Sequence, residues 1–117
     1  MVYNIGLLGL GTVGTGTAEI LLNPSGRHHL LEEVRIKRVG VRSLDKKRTL
    51  ALPSEVLTTD LESIAADPDI DIVVEVLGGI EPARTLILKA IEAGKHIVTA
   101  NKAVIARHGD EIYTAAN

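Results

Sequence analysis

Ile5-Gly6-Leu7-Leu8-Gly9-Leu10-Gly11-Thr12-Val13-Gly14 decides how this 117-residue chain is read. Residues 2–10 form a short apolar run that ends in glycines, the pattern of a strand buried in a sheet. Residues 12–22 follow with Val13, Thr17, Ile20 and Leu21 on one helical stripe. Between the two segments the glycines fall as G-x-G-x-x-G, at Gly9, Gly11 and Gly14. Such a pattern says little alone. At a junction from strand to helix it is the setting in which a dinucleotide's pyrophosphate is held. Gly9 permits a tight turn, Gly11 lets phosphate approach the backbone, and Gly14 lets the helix pack close to the strand. Leu10 lines the same loop. The amides of Thr12 and Val13 then face the phosphates with the positive end of the helix dipole.

The rest of the chain alternates in the same way. Residues 34–41 alternate as a strand, and the polar, basic stretch 45–53 reads as a loop. Residues 56–58 suggest a short strand. Residues 60–66 suggest a short helix, with Thr59 or Asp60 as its cap. The β-branched run 71–77 suits a strand covered on both faces. Ala83, Leu86, Ile87, Ala90 and Ile91 keep the i, i+3, i+4, i+7, i+8 spacing of an amphipathic helix. Pro82 falls at its first turn and Gly94 at its end. Residues 96–100 form a fifth strand, and residues from Asn101 onward turn helical, with a break expected at Gly109. This order predicts parallel strands joined by right-handed crossovers, an α/β fold of the doubly wound Rossmann type in three layers. One domain over residues 1–117 fits the length, and the end inside a helix suggests the front part of a longer protein, cut before its substrate domain.

Composition excludes several classes of function. Thirteen basic against 15 acidic residues leave a formal charge of −2, without the clustered basic surface that nucleic acid requires. Two Tyr, no Phe and no Trp leave little on which to stack bases. The absence of Cys removes disulfides, thiolate metal sites and cysteine nucleophiles. No apolar run approaches the roughly 18–20 residues that cross a bilayer, and Met1-Val2-Tyr3-Asn4 lacks a signal-peptide pattern. A soluble, cytoplasmic domain is expected. His28 and His29 have no third ligand spaced for a metal, and His96 and His108 give no signal, so no metal site is expected.

The end of the second strand reads Val39-Gly40-Val41-Arg42-Ser43. An NAD site carries Asp or Glu there to accept from the ribose 2′-hydroxyl. Arg42 stands in its place, and its guanidinium can pair with a 2′-phosphate. Ser43 can add a hydroxyl, while Lys46, Lys47 and Arg48 raise the local positive potential. NADP is therefore expected as the preferred cofactor, with NAD possible. The interval from Gly14 to Arg42 exceeds the usual spacing of about 20 residues, and an insertion over residues 23–33 is expected to hold the excess.

Ligands of such sheets lie beyond the carboxyl ends of the strands. The fourth strand ends Leu77-Gly78-Gly79, where two glycines let the nicotinamide ribose pass close to the backbone. The fifth ends Thr99-Ala100-Asn101-Lys102, with Asn101 and Lys102 expected to project into the crevice. Glu75 lies inside an apolar strand, so it must be hydrogen-bonded or paired; a role in holding a loop near the crevice is expected.

Taken together, Gly9 to Gly14, Val41-Arg42, Val74-Glu75-Val76-Leu77-Gly78-Gly79 followed by Pro82, and Thr99-Ala100-Asn101-Lys102-Ala103 resemble the homoserine dehydrogenase family. The resemblance covers essentially the whole chain but only the N-terminal half or less of such an enzyme. It implies NAD(P)-dependent interconversion of L-aspartate 4-semialdehyde and L-homoserine, on the route to threonine, methionine and isoleucine. It also implies that Lys102 matches a catalytic lysine beside nicotinamide and substrate, and that the parent enzyme is a homo-oligomer. The family's second lysine, substrate carboxylates and metal-ion site would fall after residue 117, so this stretch alone is expected to show little or no turnover. Two other readings remain open at this point. One is another oxidoreductase of amino-acid metabolism on the same scaffold, such as an aspartate-type or dihydrodipicolinate-type reductase. The other is a non-catalytic nucleotide-sensing module.

Overall fold

The computed structural model describes residues 2–23, 33–44 and 52–117. In chain order these form β1 (Tyr3–Leu8), α1 (Thr12–Leu22), β2 (Val34–Gly40), β3 (Leu57–Thr58), α2 (Leu61–Ala66), β4 (Ile72–Glu75), α3 (Ala83–Glu92), β5 (His96–Thr99) and α4 (Lys102–Ala116). The strands make one sheet in the order β3-β2-β1-β4-β5. Every pairing is parallel. Strand order therefore reverses beside β1: the chain first builds outward through β2 and β3, then returns to add β4 and β5.

The period-2 side-chain pattern divides the core between two faces. Ile5, Leu7, Val39, Val41 and Val74 meet Ala18 of α1 on one face. Leu8 and Val73 meet Ile64 and Ala65 of α2 and Leu86 and Ala90 of α3 on the other. Burying each large aliphatic side chain of this kind contributes about 1.5–3 kcal/mol. A third cluster of Ala83, Ile87, Val104 and Ile112 joins α4 to α3. The expected three-layer doubly wound architecture is thus present.

Three local readings change. The expected stripe of α1 is rotated: Gly14 and Ala18 are buried, whereas Val13 and Ile20 are exposed. A glycine that permits close approach turns its own face inward, and the larger residues beside it are carried out. The break in α4 falls at His108, with φ −129° and ψ 17°, one residue before Gly109. β4 ends at Glu75 rather than residue 77, because the Leu77 amide turns back to the Glu75 carboxylate at 2.9 Å. The caps agree with the reading: the Asp60 side chain accepts from the Ser63 amide, and Gly94 adopts φ +82° after α3. Residues 45–51 of the expected loop, most of the expected insertion, and His28, His29, Lys46, Lys47 and Arg48 lie outside the described residues.

Helices α3 and α4 are also joined through charge. The Arg84 guanidinium donates to both Glu111 oxygens, at 2.6 and 2.7 Å, and to Glu81 at 3.3 Å. The Arg84 hydrogen bonds hold the Glu111 carboxyl below the usual carboxylate range. Hydrogen bonds from the Thr85 hydroxyl and amide, with Arg84 adding, do the same for Glu81. Each carboxyl is more acidic in the folded chain than in the unfolded one. Its contribution is therefore complete above the unfolded value and is lost as pH falls through the folded value. Thermal unfolding followed by circular dichroism should show the midpoint falling by a few degrees between neutral pH and about pH 3. Glu111→Gln should lower the neutral midpoint and flatten that dependence.

Candidate functional site

Because all strands are parallel, the carboxyl ends of β1, β2, β4 and β5 share one edge. Leu8 is opposite Gly40 on one side and Glu75 on the other, and Glu75 is opposite Thr99. The glycine loop leaves β1 at this edge. Gly9 takes φ +106°, a left-handed conformation that favours glycine. Its amide donates to the Gly40 carbonyl at 2.9 Å, which pins the loop over the end of β2.

The three glycines do different work. A Cβ on Gly14 would stand 2.3 Å from the Gly9 carbonyl oxygen, so Gly14 allows the helix to touch the loop. A Cβ on Gly11 would meet nothing within 4 Å. The space above Gly11 is open, as close approach by a ligand requires. Gly11 is also the N-cap of α1, with no side-chain cap and no acidic residue in the first turn. The first backbone hydrogen bond of the helix runs from the Thr15 amide to the Gly11 carbonyl, at 2.8 Å. The amides of Thr12, Val13 and Gly14 come before it and point their dipoles at the sheet edge, where an anion would satisfy them.

A cleft of about 260 Å³ lies at this place, lined by Gly9, Leu10, Gly11, Val41, Arg42, Ser43, Val76 and Leu77. Six of these were expected from sequence. Val41 and Val76 were not; their signal was adjacency to Arg42 and Leu77 at strand ends that converge. Arg42 is exposed at the cleft and has no ion-pair partner among the described residues. No carboxylate of the described residues lines the cleft. Larger hollows of about 530 and 560 Å³ lie along α4, but neither includes the glycine loop or Arg42. The open space at Gly11 and the helix start without a side-chain cap fit the pyrophosphate of a dinucleotide.

The ends of β4 and β5 form a second wall. Gly78 and Gly79 take φ +78° and +76°, so both are required by backbone conformation as well as by access. Glu75 is completely buried. Its Oε1 accepts from the Thr99 hydroxyl at 2.5 Å, and its Oε2 accepts from the Leu77 amide at 2.9 Å and from Asn101 Nδ2 at 3.3 Å. Asn101 does not project into the crevice as the sequence reading expected. It is buried, donates to the Gly79 carbonyl at 2.7 Å, and accepts from the Val104 amide at 3.2 Å as the cap of α4. Asn at a helix start satisfies an orphan amide, and that demand turns its side chain inward. The Ala100 amide donates to the Glu75 carbonyl at 3.3 Å, continuing the sheet to the rim.

Lys102 is the first residue of α4 and is exposed at the same edge. A cation in the first turn opposes the helix dipole, so helix stability does not account for it. It has no ion-pair partner among the described residues. Among those residues there is also no group of His, Asp or Glu able to hold a metal ion, and no helix long and apolar enough to cross a membrane.

Comparison with known proteins agrees with this geometry. The family model for the homoserine dehydrogenase NAD binding domain matches residues 9–117. The chain is 69% identical to homoserine dehydrogenase of Synechocystis sp. over its whole length, covering 27% of that protein. It is 44% identical to homoserine dehydrogenase of Bacillus subtilis over 96% of its length, covering 26% of that protein. The crystal structure of a homoserine dehydrogenase from Thiobacillus denitrificans matches with a TM-score of 0.88 and 47% identity, over 99% of this chain and 27% of that one. The chain thus spans about a quarter of the length of these relatives.

Proposed function

This chain belongs to the homoserine dehydrogenase family, as its NAD-binding domain, and on that premise we propose that it holds NADP(H) for the interconversion of L-aspartate 4-semialdehyde and L-homoserine. A nicotinamide cofactor follows from the family. The preference for the 2′-phosphorylated form rests on one observation: among the described residues, the cleft beside the glycine loop is lined by Arg42 and by no carboxylate. We assign the single domain to residues 1–117 and the whole enzyme to the cytoplasm, and we assign turnover to that enzyme rather than to this stretch alone.

In this reading the amides of Thr12 and Val13, in the loop of Gly9, Leu10, Gly11 and Gly14, would hold the pyrophosphate. Arg42 and Ser43 take the adenosine ribose and its phosphate. Leu77, Gly78 and Gly79 pass beneath the nicotinamide half, while Thr99, Ala100 and Asn101 frame its far side and bring Lys102 to the reacting end. When bound, the cofactor would supply hydride to the aldehyde carbon in reduction and take it from the carbinol carbon in the reverse direction. Lys102 serves as the cation beside the substrate oxygen, polarising C=O and supplying its proton during reduction. Gly11 shapes the floor by lacking a side chain, and the buried Glu75 network keeps the wall from moving.

Calorimetric titration of the chain with NADPH and NADH tests the reading. NADPH is expected to bind more tightly. Arg42→Ala should weaken NADPH by about ten- to a hundredfold, since a hydrogen bond to a charged group contributes roughly 1.5–3 kcal/mol, and should leave NADH almost unchanged. Equal binding of both, untouched by Arg42→Ala, would remove the NADP assignment.

A further inference from the structure

A fully buried carboxylate at the rim of a ligand crevice requires an account. Glu75 has three donors on its two oxygens, and the donors come from separate segments: the turn after β4, the end of β5 and the cap of α4. The sheet itself needs none of them. β4 pairs through its backbone with β1 and β5, and the apolar neighbours Val73 and Val74 fill the two faces. What the carboxylate adds is position. Through Asn101, whose one amide bridges Glu75 and the Gly79 carbonyl, it locks the Gly78–Gly79 turn to the start of α4. The Thr99 hydroxyl completes the ring by accepting from the Asn101 backbone N–H at 3.0 Å while donating to Glu75.

We propose that Glu75 is a positioning residue for the nicotinamide half of the crevice: from below the sheet edge it fixes Gly79 and Asn101 together, and so sets where Lys102 stands. The inference rests on the dinucleotide reading above and adds to it a division of labour along the ligand. The adenosine half is held over β1 and β2 by the glycine loop and Arg42, none of which hydrogen-bonds to the Glu75 carboxylate; Leu77, whose amide does, is the one wall residue the two halves share. The nicotinamide half lies over β4 and β5, within its reach. Loss of Glu75 should therefore cost affinity mainly at the nicotinamide end of the ligand, where two of its three donors lie. A residue that merely supported the fold would affect both ends.

The test compares NADPH with adenosine 2′,5′-bisphosphate, which has the adenosine half and no nicotinamide, by titration calorimetry on this chain. Glu75→Leu removes the acceptor of the Thr99 hydroxyl and the Leu77 amide and one of the two acceptors of Asn101 Nδ2, and is expected to weaken NADPH at least about tenfold. Adenosine 2′,5′-bisphosphate should stay within about twofold. Glu75→Gln retains one acceptor oxygen and should recover most of the NADPH loss. Should Glu75→Leu fail to fold, Asn101→Ser serves: its hydroxyl still caps Val104, but the bridge from Glu75 to Gly79 is gone, and the same split between ligands is expected. Equal weakening of both ligands, or unchanged NADPH binding in the folded variants, would overturn the positioning role. An unaltered chain that binds neither ligand would overturn the dinucleotide reading, and this one with it; a chain that binds both but shows no split sinks this one alone.

Discussion

Replacing Gly14 with alanine is expected to lower the melting midpoint of the chain by at least about 10 °C and to abolish NADPH binding. The added methyl would lie 2.3 Å from the Gly9 carbonyl oxygen and 2.9 Å from its carbon. These are backbone atoms, and the Gly9 amide is already fixed to Gly40. Neither rotamer change nor a small slide of α1 removes the clash, because Ala18 one turn on is fully buried against the sheet. The informative comparison is Gly11→Val. Here a Cβ meets nothing, so the melting midpoint should move little, while NADPH affinity falls at least about a hundredfold through blocked approach of phosphate to the amides. Circular dichroism melts beside calorimetry separate the two variants: one loses fold and binding together, the other loses binding alone. A stable Gly14→Ala chain that still binds would show that the helix and loop can part without cost.

The second large effect concerns Lys102. In the whole enzyme, Lys102→Ala should reduce kcat at least about a hundredfold, with a much smaller change in KM for NADPH. The exposed ammonium at the start of α4 has no partner to satisfy among the described residues and is placed against the helix dipole. Removing it should leave the fold intact, or slightly more stable. Arg42→Ala should do the opposite, raising KM for NADPH and sparing kcat at saturation. A near-normal turnover in Lys102→Ala would make the residue an ordinary surface charge.

Much of this was legible before any coordinates, for physical reasons that differ by segment. The junction from β1 to α1 was readable because its constraint is local: a tight turn, an open approach and a close packing each demand glycine at a given spacing. α3 was readable because its apolar stripe and its terminal Pro82 and Gly94 agree. The rotation of α1 was not, because hydrophobicity places Val13 and Ile20 inward, whereas the contact between Gly14 and Gly9 sets the orientation and involves no large side chain. The cap geometry of Asn101 was also hidden. Asn is at home both in a binding site and at a helix start, and only the proximity of Glu75 and Gly79, distant in sequence, decides between them. Glu75 itself was visible as an anomaly, a carboxylate in an aliphatic strand; its partners were not. Arg42 was legible as the replacement of an expected acid, and the structure adds that Val41 and Val76 shape the walls around it.

The bare opening of α1 has a thermodynamic corollary. A helix that begins on Gly11 without a capping side chain forgoes roughly a few tenths of a kcal/mol that Ser or Asp would contribute there. Whatever anion occupies those amides makes good the deficit, so occupancy and global stability are linked. At a free ligand concentration a hundred times its dissociation constant, the linkage amounts to about 2.7 kcal/mol. Purified without nucleotide, the domain is therefore at its most fragile. In a cell well supplied with cofactor, mildly damaging substitutions elsewhere in the domain would be masked, emerging only when the nucleotide pool runs low.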